Sequence, residues 1–444
     1  MNLQAAGPTA AKPPGEETRA AFLRQGTWVS LASFTGGFAC YLVHLFAQKA
    51  GTAEYGNFTA AIRLLEMAAW PAVGLQTLIA HQTASARTPD DHAKLAASTA
   101  ALAKAIGVAW LLAGAALFAL QGHALRALHI AHPATMAIAF CAALAALLLP
   151  LAAGTLQGRQ QFTAFGGAVL ANGLVRLAAV AMLFEVLRWR SAPSAMSSVL
   201  LGYLAALALA WQAARRTPAP SAGTRVPWAD WLRRFVPISL GAGAGIFLAS
   251  ADMVFAQRHF GNEAGLYAAA STMGRVLPML LGPVIAVMFP KVVSATGTLA
   301  RSNALWWTLA ITGAGGALIA FGLTLWPELP LRMARFKPEY AGIAPLIPKL
   351  AWAMLPLVLG GVLVNYLLAR GDHRVVPWLV VVCIGFAVGM DYGCAHWASA
   401  TVPLPDRFAP LAMTLALANT GYLLVASWFV RLHRREEAAA AHVG

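Results

Sequence analysis

The sequence predicts an all-α polytopic membrane protein with about twelve transmembrane helices, arranged as two repeated six-helix lobes around a central cleft. Composition is the first reason, because the chain is 59% hydrophobic and 11% charged, whereas a soluble domain carries about 25% charged residues. The second reason is that most of the length falls into apolar runs near the roughly 20 residues that cross a bilayer as helix. The third reason is an internal repeat.

The two halves of the chain are related by a repeat with an offset of 209 residues. The residues that recur in register are Ser30-Leu31, Gly36, Phe38, Phe46-Ala47-Gln48, Gly56 and Ala60-Ala61, which return as Ser239-Leu240, Gly245, Phe247, Phe255-Ala256-Gln257, Gly265 and Ala269-Ala270. Two similar helical bundles around one site can rock against each other, so a duplicated membrane chain is typical of a transporter.

The apolar runs between charged or turn-rich breaks give the individual spans. In the first half we predict helices over 25–47, 58–81, 98–120, 134–154, 164–187 and 197–213. In the second half we predict helices over 235–256, 267–290, 304–326, 347–369, 376–396 and 409–431.

These spans divide the chain into five segments. Residues 22–214 form the predicted N-terminal lobe and residues 232–431 the predicted C-terminal lobe, joined by a proline-rich cytoplasmic linker over 215–231. The polar residues 1–21 are predicted to be a disordered cytoplasmic tail, and residues 432–444 a second cytoplasmic tail.

The distribution of basic residues predicts the orientation. With both termini inside, the tails and cytoplasmic loops hold 19 Lys and Arg residues and the outer loops hold 10. Cytoplasmic loops carry such an excess, so both termini are predicted to be cytoplasmic. The net charge of +15 is spread over short loops, which favours attraction to anionic membrane lipids over nucleic acid binding.

Several classes of protein find no support in the sequence. There is no phosphate-binding glycine loop, nucleophile elbow or HExxH motif, so we predict neither an enzyme nor a cofactor. No metal site is predicted either. The four cysteines lie in or beside apolar runs without CxxC spacing and are interpreted as packing residues.

Five ionisable residues inside predicted spans are the candidate substrate-binding residues: Arg63, Glu66, Arg176, Asp252 and Arg275. A charge is costly inside a membrane, so each one marks a candidate site. Glu66 and Arg275 are repeat equivalents and would face each other across the cleft. The three arginines leave a positive excess that suits phosphate oxygens. The alternative is that Arg63–Glu66 and Asp252–Arg275 are internal pairs that only neutralise buried charge.

Two further groups of residues bear on the transport cycle. His44, Asp252 and Glu66 are candidates for coupling to an ion, H+ or Na+, although a histidine near a span end also occurs as a packing residue. Pro71 in the second predicted helix, with Pro278 and Pro283 in its repeat partner, are candidate hinges, because proline removes a helical hydrogen bond. The alternative is that these kinks serve packing alone.

Four short passages give the chain a resemblance to a known family. They are Ala53-Glu54-Tyr55-Gly56-Asn57-Phe58, Val73-Gly74-Leu75-Gln76, Glu263-Ala264-Gly265-Leu266-Tyr267-Ala268-Ala269-Ala270 and Phe289-Pro290-Lys291. With their order and spacing, the chain resembles the polysaccharide flippases of the multidrug/oligosaccharidyl-lipid/polysaccharide (MOP) exporter superfamily over about residues 22–431.

That resemblance implies a cleft lined by predicted helices 1, 2, 7 and 8. It also implies that an undecaprenyl-diphosphate-linked oligosaccharide moves from the cytoplasmic to the periplasmic leaflet of a bacterial inner membrane, for O-antigen or other surface polysaccharide. Glycan polymerase or ligase machinery would be a partner. Two alternatives stay open: a multidrug or toxin extruder of the same superfamily, and a non-transporting scaffold of a glycan-assembly complex.

Overall fold

The computed structural model describes residues 14–215, 228–277, 298–398 and 401–443, and these residues form helices without a single strand. The helices are α1 Pro14–Ala47, α2 Thr52–Ala68, α3 Pro71–Ser85, α4 Pro89–Ala127, α5 Pro133–Gly158, α6 Phe162–Ala181, α7 Ala192–Ala214, α8 Trp228–Phe260, α9 Ala264–Gly274, α10 Thr298–Leu325, α11 Leu329–Met333, α12 Leu346–Ala369, α13 Val376–Ala398 and α14 Leu404–Val443. The predicted all-α membrane fold is confirmed.

Ten helices in the described ranges are long and apolar enough to cross a membrane, or eleven when α2 and α3 count as one bent span. The predicted second helix is this bent pair, which turns by 40° just before Pro71. Pro71 is the first residue of α3, where its missing N–H is not needed. The predicted eighth helix begins as α9, and its remainder, with Pro278 and Pro283, lies outside the described residues.

Some helix ends differ from their predicted positions. The first helix begins at Pro14, inside the predicted disordered tail, and a proline is favoured at the first position of a helix. At the other end of the chain, α14 continues through the predicted second tail to Val443. Pro356 lies inside the continuous α12 helix.

Close approaches at glycine hold each lobe together. In the N-terminal lobe, α1 crosses α6 where Gly36 and Gly173 meet, and a Cβ added at Gly173 would lie 2.2 Å from the Gly36 carbonyl oxygen. In the C-terminal lobe, Gly360 of α12 lies against the Tyr422 ring of α14. Small residues let membrane helices pack closely, and the van der Waals contacts between them favour association. These contacts take the place of the hydrophobic effect, which is absent between helices surrounded by lipid.

The two lobes meet along a seam in which α2–α3 run antiparallel to α8, with the start of α9 at one end. At one end Gly56 packs against Gly265, its repeat equivalent. Farther along, Gln257 donates a hydrogen bond to Asn57 at 3.0 Å. At the other end Gly74 lies against Ser239. Because two repeat-equivalent residues touch, the axis that relates the lobes passes beside Gly56 and Gly265.

A charged cluster joins the loop after α12 to the end of α14. Arg374 donates to both Asp372 oxygens, at 3.0 and 2.8 Å, and also to Glu436 at 2.8 Å. His433 contacts Asp372 at 3.1 Å. The hydrogen bonds from Arg374, more than any other factor, lower the pKa of the buried Asp372 carboxyl to about 2.

We predict that Asp372→Asn lowers the unfolding free energy at neutral pH by about 2 kcal/mol. The folded-state pKa is depressed, so the contribution is complete above the ordinary value near 3.8 and disappears as the pH falls towards about 2. Thermal unfolding in detergent between pH 7 and pH 2 would measure it. The matched control is Asp90→Asn, which removes an exposed pair with Lys94. The interpretation is contradicted if the difference in stability between wild type and Asp372→Asn does not narrow as the pH falls.

The glycine contact between the lobes gives a second prediction. A Cβ at Gly265 would lie 1.8 Å from the Thr52 carbonyl oxygen, so the backbones must separate. We expect Gly265→Ala to destabilise the protein by about 1–3 kcal/mol, as overpacking does. Gly385→Ala is the control, because nothing lies within 4 Å of its added Cβ, and it should be neutral or stabilising. Equal melting temperatures for both variants would disprove the close contact.

Candidate functional site

A cavity of about 600 Å³ lies between the lobes. The four helices predicted to line the cleft contribute to it as α1, α2–α3, α8 and α9. Three N-terminal-lobe helices that sequence reasoning did not include, α5, α6 and α7, also line it. The cavity is therefore displaced towards the N-terminal lobe.

The α2 helix brings an ion pair to the cavity. Arg63 and Glu66 are three residues apart, which places them on one helix face, and Arg63 Nη1 donates to Glu66 Oε2 at 2.8 Å. Ser250 of α8 donates to the same Glu66 oxygen at 3.0 Å. The Glu66 side chain is 35% exposed, so this carboxylate is reachable from the cavity while it links the two lobes.

A second ion pair joins α8 to the end of α9. Arg275 Nη2 donates to Asp252 Oδ1, and the Tyr267 hydroxyl donates to Asp252 Oδ2 at 2.7 Å. Asp252 is fully buried and does not line the cavity, whereas Arg275 does. Asp252 therefore contacts Arg275 from outside the cavity lining. Its roles as a substrate ligand and in ion coupling stay predictions.

Arg176 on α6 is the third arginine of the cavity, with 6% of its surface exposed. Its Nη2 donates to Asn172 Oδ1 at 3.3 Å, one helical turn earlier. The guanidinium lies 5.2 Å from the centre of the Tyr203 ring, a cation–π distance. No carboxylate pairs with Arg176 in the described part of the chain.

The cavity consequently carries excess positive charge. Each of the two carboxylates is matched by one arginine, and Arg176 remains. Residues 278–297, which follow α9 in the sequence and lie outside the described ranges, contain no Asp or Glu. Among the described residues, the Nε atoms of all three arginines are buried and donate no hydrogen bond to the protein. Buried donors of this kind need a partner.

Neutral polar groups connect the lobes at one end of the cavity. His44 Nδ1 lies 3.0 Å from the Tyr55 hydroxyl, which lies 3.4 Å from Thr272 Oγ1 of the opposite lobe. The Tyr55 ring packs edge-on against Phe336 and Tyr340, between α11 and α12. His44 was predicted as a candidate for ion coupling, with packing as the alternative. It lines the cavity, and ion coupling stays a prediction.

Four of the five predicted charged residues line the cavity: Arg63, Glu66, Arg176 and Arg275. Glu66 pairs with Arg63 and not with Arg275 across the cleft, so internal pairing, the alternative interpretation, describes the contacts. Sequence reasoning missed the neutral polar residues that face the same space, which are Tyr41, Gln76, Asn172, Tyr203, Ser250 and Thr272. Asn172 alone carried a signal, since it precedes Arg176 by four residues.

Solved structures with a similar fold are transporters of the MATE family and the MOP superfamily. An inward-facing multidrug resistance MATE family transporter gives a TM-score of 0.67 at 13% identity, covering 92% of this chain and 96% of that chain. The eukaryotic MATE transporter AtDTX14 gives a TM-score of 0.64 at 11% identity, covering 92% and 95%.

A MOP superfamily transporter from Pyrococcus furiosus gives a TM-score of 0.63 at 13% identity, covering 92% of this chain and 95% of that chain. Its binding pocket is described as having reverse polarity, which suggests a different function for that protein. No protein-family model and no curated protein matches the chain by sequence. The chain is thus a multi-pass membrane protein with the fold of these transporters.

The two ion pairs should differ in their effect on stability. We predict that Asp252→Asn destabilises the protein by about 3–5 kcal/mol, because it leaves the Arg275 charge buried and unpaired. Glu66→Gln should cost less than about 1 kcal/mol, because Glu66 reaches the cavity. Unfolding in detergent measures both. Replacing the pair together, by Asp252→Leu with Arg275→Met, should recover most of the loss. If the Asp252→Asn variant is at least as stable as the Glu66→Gln variant, the arrangement is refuted.

Proposed function

We propose that this protein is a transporter that moves an undecaprenyl-diphosphate-linked oligosaccharide from the cytoplasmic to the periplasmic leaflet of a bacterial inner membrane by alternating access. The observation that carries the proposal is Arg176, a buried cation that lines the cavity and has no carboxylate partner among the described residues. An anion entering the cavity would supply that partner. Both termini would be cytoplasmic, and the surface polysaccharide made from the glycan would be the product of the pathway.

A diphosphate is the anion that suits this site best. A guanidinium offers a rigid fork of donors that matches phosphate oxygens two at a time. Arg63, Arg176 and Arg275 all face the same space, and each has a buried Nε without a protein acceptor. A volume of about 600 Å³ is typical of sites for drug-sized ligands. It would hold the diphosphate with the nearest sugars, while the lipid tail stays in the bilayer.

The contacts between the lobes suggest how ions would couple to movement. Glu66 accepts hydrogen bonds from Arg63 in its own lobe and from Ser250 in the other. A proton on Glu66, or Na+ beside it, would weaken both contacts and make separation of the lobes easier. His44 links to the opposite lobe through Tyr55 and Thr272 and is the second candidate for such coupling.

A drug extruder is the second candidate function, and one observation favours it. The Glu66 carboxylate lines the cavity and is a third exposed, so a cationic drug could compete with Arg63 for it. The fold neighbours, among them a multidrug resistance transporter, point the same way. Against it stands the excess of buried arginines, which repels cations. A scaffold without transport would leave the buried Arg176, which has no carboxylate partner among the described residues, unexplained.

Transport in proteoliposomes tests the proposal. We expect purified protein to flip a fluorescent undecaprenyl-diphosphate oligosaccharide, and Arg176→Gln to reduce the rate at least about tenfold, since a charge-assisted bond to phosphate is lost. Arg431→Gln, an exposed arginine of α14, is the matched control and should keep the wild-type rate. Export of a cationic drug with no flipping would favour the extruder. Activity in neither assay, from protein that is folded, would favour the scaffold.

The sign of the cavity charge can be measured separately at Cys40, which lines the same cavity. In a variant whose other three cysteines are serine, we expect a negatively charged thiol reagent to react faster than a positively charged one. Arg176→Gln should reduce this preference at least about tenfold, because Arg176 lines the same cavity and its charge acts on Cys40. Arg431→Gln is again the control. A preference for the positive reagent would contradict a cationic cavity.

A further inference from the structure

Two grooves flank the end of α7 on the outer surface of the N-terminal lobe. The first, the α5–α7 groove, is lined by Leu148, Leu204, Leu207, Trp211, Gln212 and Arg215 and has a volume of about 640 Å³. The second, the α6–α7 groove, is lined by Gln161, Ala164, Gly167, Leu209 and Gln212 and has a similar volume. Gln212 belongs to both grooves, so they meet at the end of α7.

The α5–α7 groove changes character along its length. From Leu204 to Arg215 it follows α7 for about 16 Å, and its walls are apolar until Gln212 and Arg215. The exposed Trp211 lies next to the polar end, where tryptophan marks a membrane interface. This change from apolar to polar walls matches a lipid molecule, which has an apolar chain and a polar headgroup.

Two arginines stand where the grooves meet. Arg159, in the turn between α5 and α6, donates to the carbonyl oxygen of Ala214, the residue before Arg215. Neither arginine forms an ion pair with a carboxylate in the described ranges. Burial lowers the pKa of the Arg159 guanidinium, and no acid among the described residues acts in the opposite direction. The junction is therefore an uncompensated positive patch at a membrane interface.

We propose that an anionic diacyl phospholipid binds at the end of α7, with one chain in each groove and its phosphate between Arg159 and Arg215. Two grooves that share one residue fit a lipid with two chains better than a polyprenyl lipid with one. Basic pockets at the ends of transmembrane helices recognise anionic headgroups in this way. The site lies outside the transport cavity and does not involve its substrate.

The lipid site and the cavity lie on opposite sides of the same helices. Leu148 lines the α5–α7 groove and its neighbour Leu149 lines the cavity. On α7, Leu204 lines the groove and Tyr203, which covers Arg176, lines the cavity. The α5–α7 pair is therefore a wall shared by both sites. A bound phospholipid would stabilise this wall on the side that faces the bilayer.

Native mass spectrometry of the whole protein, released from nanodiscs of phosphatidylethanolamine and phosphatidylglycerol, tests the site. We expect one phosphatidylglycerol to remain bound in preference to phosphatidylethanolamine. Arg159→Gln and Arg215→Gln should each weaken retention about fivefold, the effect of one cation near a lipid surface, and together about 25-fold. Arg431→Gln should retain the lipid as wild type does.

A steric variant keeps the test independent of charge. Leu207→Trp fills the α5–α7 groove and should reduce retention of both phospholipids alike, while the melting temperature monitors folding. Equal retention of the two phospholipids by wild type, or unchanged retention in the double arginine variant, would overturn the proposal. So would displacement of the lipid by inorganic phosphate or by a single-chain polyprenyl phosphate at equal concentration.

Discussion

An ionised side chain inside a bilayer must be paired or reach water, and this constraint organises the centre of the protein. Asp252 is fully buried and is neutralised by Arg275 and the Tyr267 hydroxyl. Glu66 is neutralised by Arg63 but still reaches the cavity. Because both carboxylates are already matched, Arg176 is left with an amide and an aromatic ring. The cavity is cationic as a result.

The strength of the contacts also differs within and between the lobes. The ion pairs Arg63–Glu66 and Asp252–Arg275 lie inside single lobes, as does the cluster around Asp372. The contacts described between lobes are hydrogen bonds such as Gln257–Asn57 and close glycine packing. A hydrogen bond contributes about 1 kcal/mol, whereas breaking the buried Asp252–Arg275 pair costs about 3–5 kcal/mol. Each lobe is therefore held together more strongly than the two lobes are held to each other. Separation along the seam between the lobes costs the least free energy.

The duplicated chain encloses an asymmetric cavity. Gly56 and Gly265 are repeat equivalents and meet near the axis between the lobes. The charged residues are not repeated in the two halves, since Glu66 corresponds to Arg275 and Val43 to Asp252. Three further N-terminal-lobe helices, α5, α6 and α7, line the cavity. The repeated backbone provides two bundles, and the unequal side chains place the polar space mainly in one of them.

The sequence by itself determined the all-α membrane fold, the break before Pro71 and four charged residues of the cavity. Hydropathy and proline act locally along the chain, and a buried charge is rare enough to be noticed wherever it stands. The tertiary structure alone decided that Glu66 pairs with Arg63, that Asp252 lies behind Arg275, and that Tyr203 and Ser250 face the same space. Those outcomes depend on how helices distant in sequence rotate against one another, and hydropathy is insensitive to that rotation because lipid and packed helix are equally apolar.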